Sequence, residues 1–159
     1  MKGLKSLISK HYTKEEFAWI MQDWANSVYS LMITTAIFPL YFKTVSSNAG
    51  VSAADSTAFL GYANSIATFA VSIMAPVLGA LADYKGYRNP MFTWSTLLGV
   101  FSVIGMMFAE TDQWILLLAL YTLSAIGYSA SNIFYDSSIM DVTTYDRMDR
   151  ISAAGYGYG

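Results

Sequence analysis

Cysteine is absent from the sequence, and histidine occurs once, at His11. Without a thiol the chain can form no disulfide, perform no thiol catalysis and hold no thiolate-bound metal. A single histidine in a polar terminal segment does not build a histidine-based metal site, so neither metal nor cofactor is expected. Charge is scarce too: 13% of the residues are Asp, Glu, Lys or Arg, where soluble domains carry roughly a quarter. A net charge of −2 without a basic stripe leaves nothing to neutralise a phosphate backbone, so nucleic acid is not an expected partner. Catalytic signatures are missing as well. No HExxH, no GxSxG and no phosphate-cradling glycine loop occurs, and an enzyme is not expected. Asp141, Asp146 and Asp149 could hold a divalent cation weakly, but they read better as a solvated loop.

What the chain has in abundance is apolar residues, 55% of the total, with a mean hydropathy of +0.40. They fall in four runs, about 20–42, 58–82, 91–108 and 114–135. Each can cross ~30 Å of hydrocarbon, which takes about 20 helical residues. Open strands cannot sit in lipid because their backbone groups would go unpaired, so the runs are expected to be helices. The lipid bilayer is the first expected partner. Residues 1–19 lack the apolar core of a secretory signal and read as a retained cytoplasmic tail. Its first ten residues form either an amphipathic surface helix or a frayed terminus. The Ser-, Gly- and Ala-rich stretch 43–57 reads as the longer external connection, 109–113 as a short external turn and 136–152 as a cytoplasmic loop. The closing AAGYGYG, 153–159, reads as the opening of a fifth span, and the chain as the N-terminal piece of a longer protein.

Basic residues set the expected orientation. Lys2, Lys5, Lys10 and Lys14 precede the first run, Lys85 and Arg88 separate the second and third, and Arg147 and Arg150 follow the fourth. Only Lys43 lies on the other side. The positive-inside rule puts the N-terminus in the cytoplasm of a multi-pass protein of the cell membrane.

Polar residues inside the runs mark candidate cavity walls. In the first run Asp23, Asn26, Ser30 and Thr34 recur at helical spacing, and a helix in lipid gathers such groups only where it meets protein or water. Asp23 is the sharpest of them, with a helix-edge cap as its plain structural reading. The second run has Asn64, Ser65, Thr68, Ser72 and Gly79 on one face, and Gly61 with Ser65 forms a small-xxx-small pair for close helix approach. Asn64 suits either a substrate or a neighbouring helix, since an unpaired amide costs several kcal/mol in hydrocarbon. The fourth run carries Tyr121, Ser124, Tyr128, Asn132 and Tyr135, a stripe of rings and hydroxyls, with Gly127 and Ser131 on an adjacent packing face. The third run offers only Ser95, Gly99 and Ser102 on a narrow strip and reads as the most lipid-exposed.

Between the second and third runs stands APVLGALADYKGYR, 75–88. An apolar helix with Pro76 and Gly79 ends at Asp83, and a tight charged turn, 84–89, follows. Gly79, Asp83, Gly86 and Arg88 resemble the signature loop of the major facilitator superfamily; Asn89 stands where that pattern often has a second basic residue. The run DWANSVYSLMITTAIFPLYF, 23–42, resembles the first helix of the vacuole-effluxer-like (autophagy-related permease) branch, and RISAAGYGYG, 150–159, the start of its fifth helix. The resemblance implies an all-α integral membrane fold: the N-terminal helical bundle of a major facilitator protein, four transmembrane helices plus the start of a fifth. It implies a secondary active transporter that moves a small solute by alternating access, with amino acids the solute of the fungal members. It also implies a conformational-switch role for the loop, in which Asp83 reaches a helix of the other half. Proton-coupled drug exporters of the superfamily place an Arg in the fourth helix, and 114–135 has no basic residue. The expected partners are therefore the bilayer, a small-molecule substrate and the C-terminal remainder of the same chain. Two other classes stay open on the residues alone: a small four-helix membrane scaffold without transport, and a membrane enzyme.

Overall fold

The computed structural model describes residues 12–158, and every regular element among them is helical. In chain order these are α1 (Lys14–Tyr29), a π-helical stretch (Ser30–Ala36), α2 (Ile37–Asn48), α3 (Ala53–Ala82), α4 (Lys85–Met106), α5 (Trp114–Val142), a short 3₁₀ turn (Tyr145–Arg147) and α6 (Met148–Tyr158). Three rods, Lys14–Asn48, Ala53–Ala82 and Trp114–Val142, are long and apolar enough to cross a membrane. With 22 residues, α4 reaches about 33 Å at 1.5 Å per residue, but Lys85, Arg88 and Asn89 at its start lower its apolarity. The surface helix expected in residues 1–10 lies outside the described residues.

Helix ends fall beyond the apolar runs, for reasons written in caps rather than in hydropathy. The first helix begins at Lys14 because Thr13 and Glu16 form a capping box, each side chain bonding the other's backbone N–H. The expected long loop 43–57 shrinks to the four residues 49–52. Gly50, at φ +80°, takes the left-handed conformation, the Gly50 N–H reaches the Ser47 carbonyl and the Val51 N–H reaches the Ser46 carbonyl. This is a Schellman close, which a residue with a Cβ adopts only with strain. Ser52 then caps α3 by accepting the Asp55 N–H. The expected turn 84–89 is likewise only Asp83–Tyr84, so Gly86 and Arg88 sit in the first turn of α4 rather than in a loop. The expected loop 136–152 is also mostly helix, since α5 continues to Val142 and α6 starts at Met148. Polarity ends an apolar run without ending a hydrogen-bond ladder.

The π stretch precedes Pro39. A proline has no N–H for the carbonyl four residues back and crowds it, and the backbone opens to π winding across Ser30–Ala36 before closing again.

The chain divides into two compact units, Met1–Leu31 with Ser138–Gly159, and Met32–Ser137. In the first, α1 packs on α6 with Ile20 and Ile151 fully buried between them. Gly155 permits this approach, because a Cβ there would lie 3.0 Å from the Trp19 ring. Beside that core Glu16 is 2% exposed. Its carboxylate accepts from the Thr13 N–H at 2.8 Å, the Thr143 hydroxyl at 2.7 Å and Arg147 Nη2 at 2.9 Å. Burial pushes the Glu16 carboxyl up, but the Thr13 and Thr143 bonds and the charges of Arg147 and Arg150 outweigh it and hold the group below its ordinary value. Glu16 precedes the apolar run 20–42, and this network fastens the start of α1 to the α5–α6 connection.

In the second unit Phe38, Phe42, Val45, Ala63, Met106, Leu117 and Tyr121 form one buried cluster. Leu78, Ala82, Ala130 and Phe134 form another. The strip Ser95, Gly99, Ser102 on α4 is its packing edge: a Cβ on Gly127 would come within 2.7 Å of the Gly99 nitrogen and 2.8 Å of the Ser95 oxygen. Another face of α4 is exposed and apolar, with Trp94, Leu98, Phe101 and Ile104 outward. The small pair Gly61 and Ser65, expected to bring a helix close, meets none: a Cβ on Gly61 would touch nothing within 4 Å.

Two outcomes follow from this packing. Gly127→Ala puts a methyl into α4 backbone, which cannot swing aside, and should cost about 1–3 kcal/mol; thermal unfolding in detergent should show the loss, while Gly61→Ala, whose Cβ meets nothing within 4 Å, should raise the midpoint slightly because Ala favours the helix. The Glu16 network has a depressed folded-state value, so its stabilisation is full above the unfolded value of about 4.5, declines as pH falls below that and is gone once pH has fallen through the folded value beneath it. Amide protection across 143–151, corrected for intrinsic exchange, should therefore begin to fall as pH drops below about 4.5 and level off once pH has passed the folded value, and Glu16→Gln should remove that pH dependence.

Candidate functional site

The hydroxyl of Tyr121 donates to Asn64 Oδ1 at 2.8 Å, and its ring stacks on Phe38 with centroids 4.2 Å apart and planes 6° from parallel. Three helices, α2, α3 and α5, thereby meet in one contact. Tyr121 is 0% exposed. Asn64 spends its amide N–H on the Leu60 carbonyl of its own helix at 3.2 Å. In this conformation the pair is a satisfied interhelical bond in an apolar layer, the plainer of the two readings open for Asn64.

The other candidates divide by exposure. On α3, Thr68 lies exposed, as do Ser65 and Ser72 along the same face, and a Cβ on Gly79 would meet nothing within 4 Å. Tyr128 and Asn132 on α5 are half-buried, flanked by the buried Gly127 and Ser131. On α1, Asn26 accepts from the Gln22 amide at 3.4 Å, and Ser30 is half-buried at the start of the π stretch. Thr34, within that stretch, is exposed. Asp23 is half-buried against α6: a Cβ on Gly155 would lie 3.6 Å from its Oδ2 and 3.0 Å from the Trp19 ring.

At the α3–α4 hairpin the signature residues separate into two roles. Arg88 is buried, 6% exposed, and its Nε donates to the Ala82 carbonyl at 2.7 Å. The guanidinium thus satisfies an orphan carbonyl at the end of α3 and suits the negative end of that helix dipole. Asp83 is the C-cap of α3 and points its charge outward, exposed. Gly86 is exposed as well. Among the described residues no group of three His, Asp or Glu side chains could hold a metal ion.

Sequence reasoning passed over Glu16, Thr143 and Trp19. The first had a legible signal, since Thr13-x-x-Glu16 ahead of an apolar run is a capping-box pattern. No pattern linked Glu16 to Thr143 and Arg147, which are far away along the chain.

The sequence of these helices has a definite match among known proteins. The family described as "Vacuole effluxer Atg22 like" matches residues 53–150. The chain belongs to that family. It is also 47% identical over 150 residues, 94% of its own length, to the protein named "Uncharacterized MFS-type transporter YxiO" from Bacillus subtilis (strain 168). That match covers 35% of the relative, so the chain spans about a third of it. No solved structure matches the chain. A family member with this composition is a membrane protein, and its fold is the all-α N-terminal bundle of a major facilitator protein.

Tyr121→Phe should test the interhelical bond. It keeps the ring on Phe38 and removes only the donor, leaving Asn64 Oδ1 unsatisfied, at a cost of about 1–3 kcal/mol. The expected result is a lowered thermal midpoint, partly restored when Asn64→Leu is added; an unchanged midpoint would rule out the bond as a stabilising contact.

Proposed function

We propose that the chain is the N-terminal bundle of a secondary active transporter that moves a small solute by alternating access. One observation carries this reading. Gly61, Ser65, Thr68, Ser72 and Gly79 make a small, polar strip along one face of α3, and neither glycine has a neighbour where its Cβ would be. Beside that strip Ile66, Phe69, Ile73 and Val77 are exposed at 60–69%, a surface suited to lipid tails. Lipid gains nothing from the polar strip, whereas a second helical bundle or a water-filled cavity does. A protein of the relative's length has room for such a bundle, and rocking of two bundles about a midplane site is the usual mechanism of secondary transport.

In this reading Asp23, Asn26, Ser30, Thr34, Asn64, Thr68, Tyr121, Tyr128 and Asn132 are the candidate solute-facing groups, with Tyr121 and Asn64 reached only after a repacking. Gly79, Asp83, Gly86 and Arg88 form the switch hairpin, Arg88 fastening it and Asp83 offering a free-standing carboxylate to the opposite bundle. The N-terminus is cytoplasmic, the protein multi-pass in the cell membrane, and amino acids the first solutes to try. No enzymatic role is invoked.

The test uses the longer protein in proteoliposomes, with flux of radiolabelled amino acids normalised to inserted protein. Asp83→Asn should remove a contact worth about 1.5–3 kcal/mol that exists in one conformational state only, shifting the inward–outward balance roughly ten-fold. Flux should fall while thermal stability changes little, and Gly79→Leu should act likewise by holding the bundles apart. Wild-type flux in both variants would leave Asp83 as turn chemistry and remove the switch.

A further inference from the structure

A cavity of about 440 Å³ opens on the surface where α2 turns into α3, lined by Leu40, Lys43, Thr44, Ser47, Asn48 and Ala53. We propose that it seats the headgroup of an anionic phospholipid. The wall is one face of α2, since Leu40, Lys43, Thr44 and Ser47 are spaced by three and four. The opposite face, with Phe38, Phe42, Val45 and Ser46, is buried in the core, so the wall is held in place. The Schellman turn follows the wall directly, and behind it the Ser46–Ser56 hydroxyl bond of 2.8 Å ties α2 to α3.

The position of the cavity identifies its occupant. The apolar run 20–42 stops at Phe42, and Lys43 is the next residue, the sole basic side chain between Lys14 and Lys85. Leu40, one turn back, is 71% exposed and belongs to the hydrocarbon. An acyl chain can lie along Leu40, a phosphodiester can meet the Lys43 ammonium at the hydrocarbon edge, and the Ser47 hydroxyl and Asn48 amide can donate to its oxygens. The Thr44 hydroxyl already donates to the Leu40 carbonyl at 3.1 Å. The nearest carboxylate along the chain, Asp55, takes the Ser52 hydroxyl at 2.7 Å. A free anion would gain the charge but not the apolar contact, and a zwitterionic lipid would bring the same phosphodiester together with a cation of its own, which offsets the attraction of Lys43.

The experiment is native mass spectrometry of the purified protein from non-ionic detergent, titrated with phosphatidylglycerol, with phosphatidylcholine or with inorganic phosphate. One phosphatidylglycerol should bind in preference to phosphatidylcholine and survive inorganic phosphate. Lys43→Gln should weaken it about fivefold, as one lysine at an anionic surface does. Ser47→Leu keeps every charge but removes a hydroxyl and pushes a bulky apolar side chain into the cavity, and should weaken binding at least as much, with an unchanged thermal midpoint because Ser47 is exposed. Lys14→Gln, which makes the same charge change elsewhere, should have no effect. Equal loss in Lys14→Gln would reduce the binding to general surface attraction, and unchanged binding in Lys43→Gln or Ser47→Leu, or displacement by phosphate alone, would overturn the site.

Discussion

Hydrocarbon offers no partner to a polar group, and the structure follows from that constraint. The backbone meets it by being helical. Many side-chain hydroxyls meet it locally, turning back on their own helices: Ser65 donates to the Gly61 carbonyl, Ser102 to Leu98, Thr122 to Leu118, Ser124 to Tyr121, Ser131 to Tyr128 and Ser137 to Phe134. A serine so bonded is small and internally satisfied. It can face lipid, a helix or a cavity at little cost. This explains how polar residues are spread through long apolar helices without a polar core.

Groups that cannot be satisfied within their own helix mark where helices are joined. Asn64 turns its amide N–H back on the Leu60 carbonyl, while its Oδ1 accepts from the Tyr121 hydroxyl across two helices. Arg88 does the same for the end of α3, and Glu16 for the α5–α6 connection. The last two are polar ties at helix ends, and the first joins the interiors of two helices. The intervening surfaces are held by close backbone approach, at Gly99 against Gly127 and at Gly155 against Trp19. Packing of small residues supplies the attraction that water would otherwise drive, because lipid tails are as apolar as leucine.

The same logic separates the hairpin residues. Arg88 is tied into the turn, whereas Asp83 is left outward at the negative end of its helix, where the dipole disfavours it. A carboxylate kept at an unfavourable end gains nothing from its own bundle. In the transport reading that is its use.

Apolar run length and the scarcity of charge determined, without coordinates, that the chain is helical, membrane-embedded and ordered around a hairpin at Asp83. Those properties depend on composition summed over about 20 residues, which a sequence displays directly. The small faces of α4 and α5 were legible for the same reason, as periodicity. The helix ends were less so, because hydropathy reports where lipid stops and caps such as Thr13 with Glu16, or Gly50 with Ser52, report where the hydrogen-bond ladder stops. Only the tertiary structure decided that Tyr121 is buried on Asn64 and Phe38, that Arg88 seals α3, that Glu16 reaches Thr143 and Arg147, and that Gly61 has no helix beside it. Each is a contact between residues distant in sequence or a choice among faces of one helix. A face's polarity states that it needs a partner; which partner is a matter of position in space.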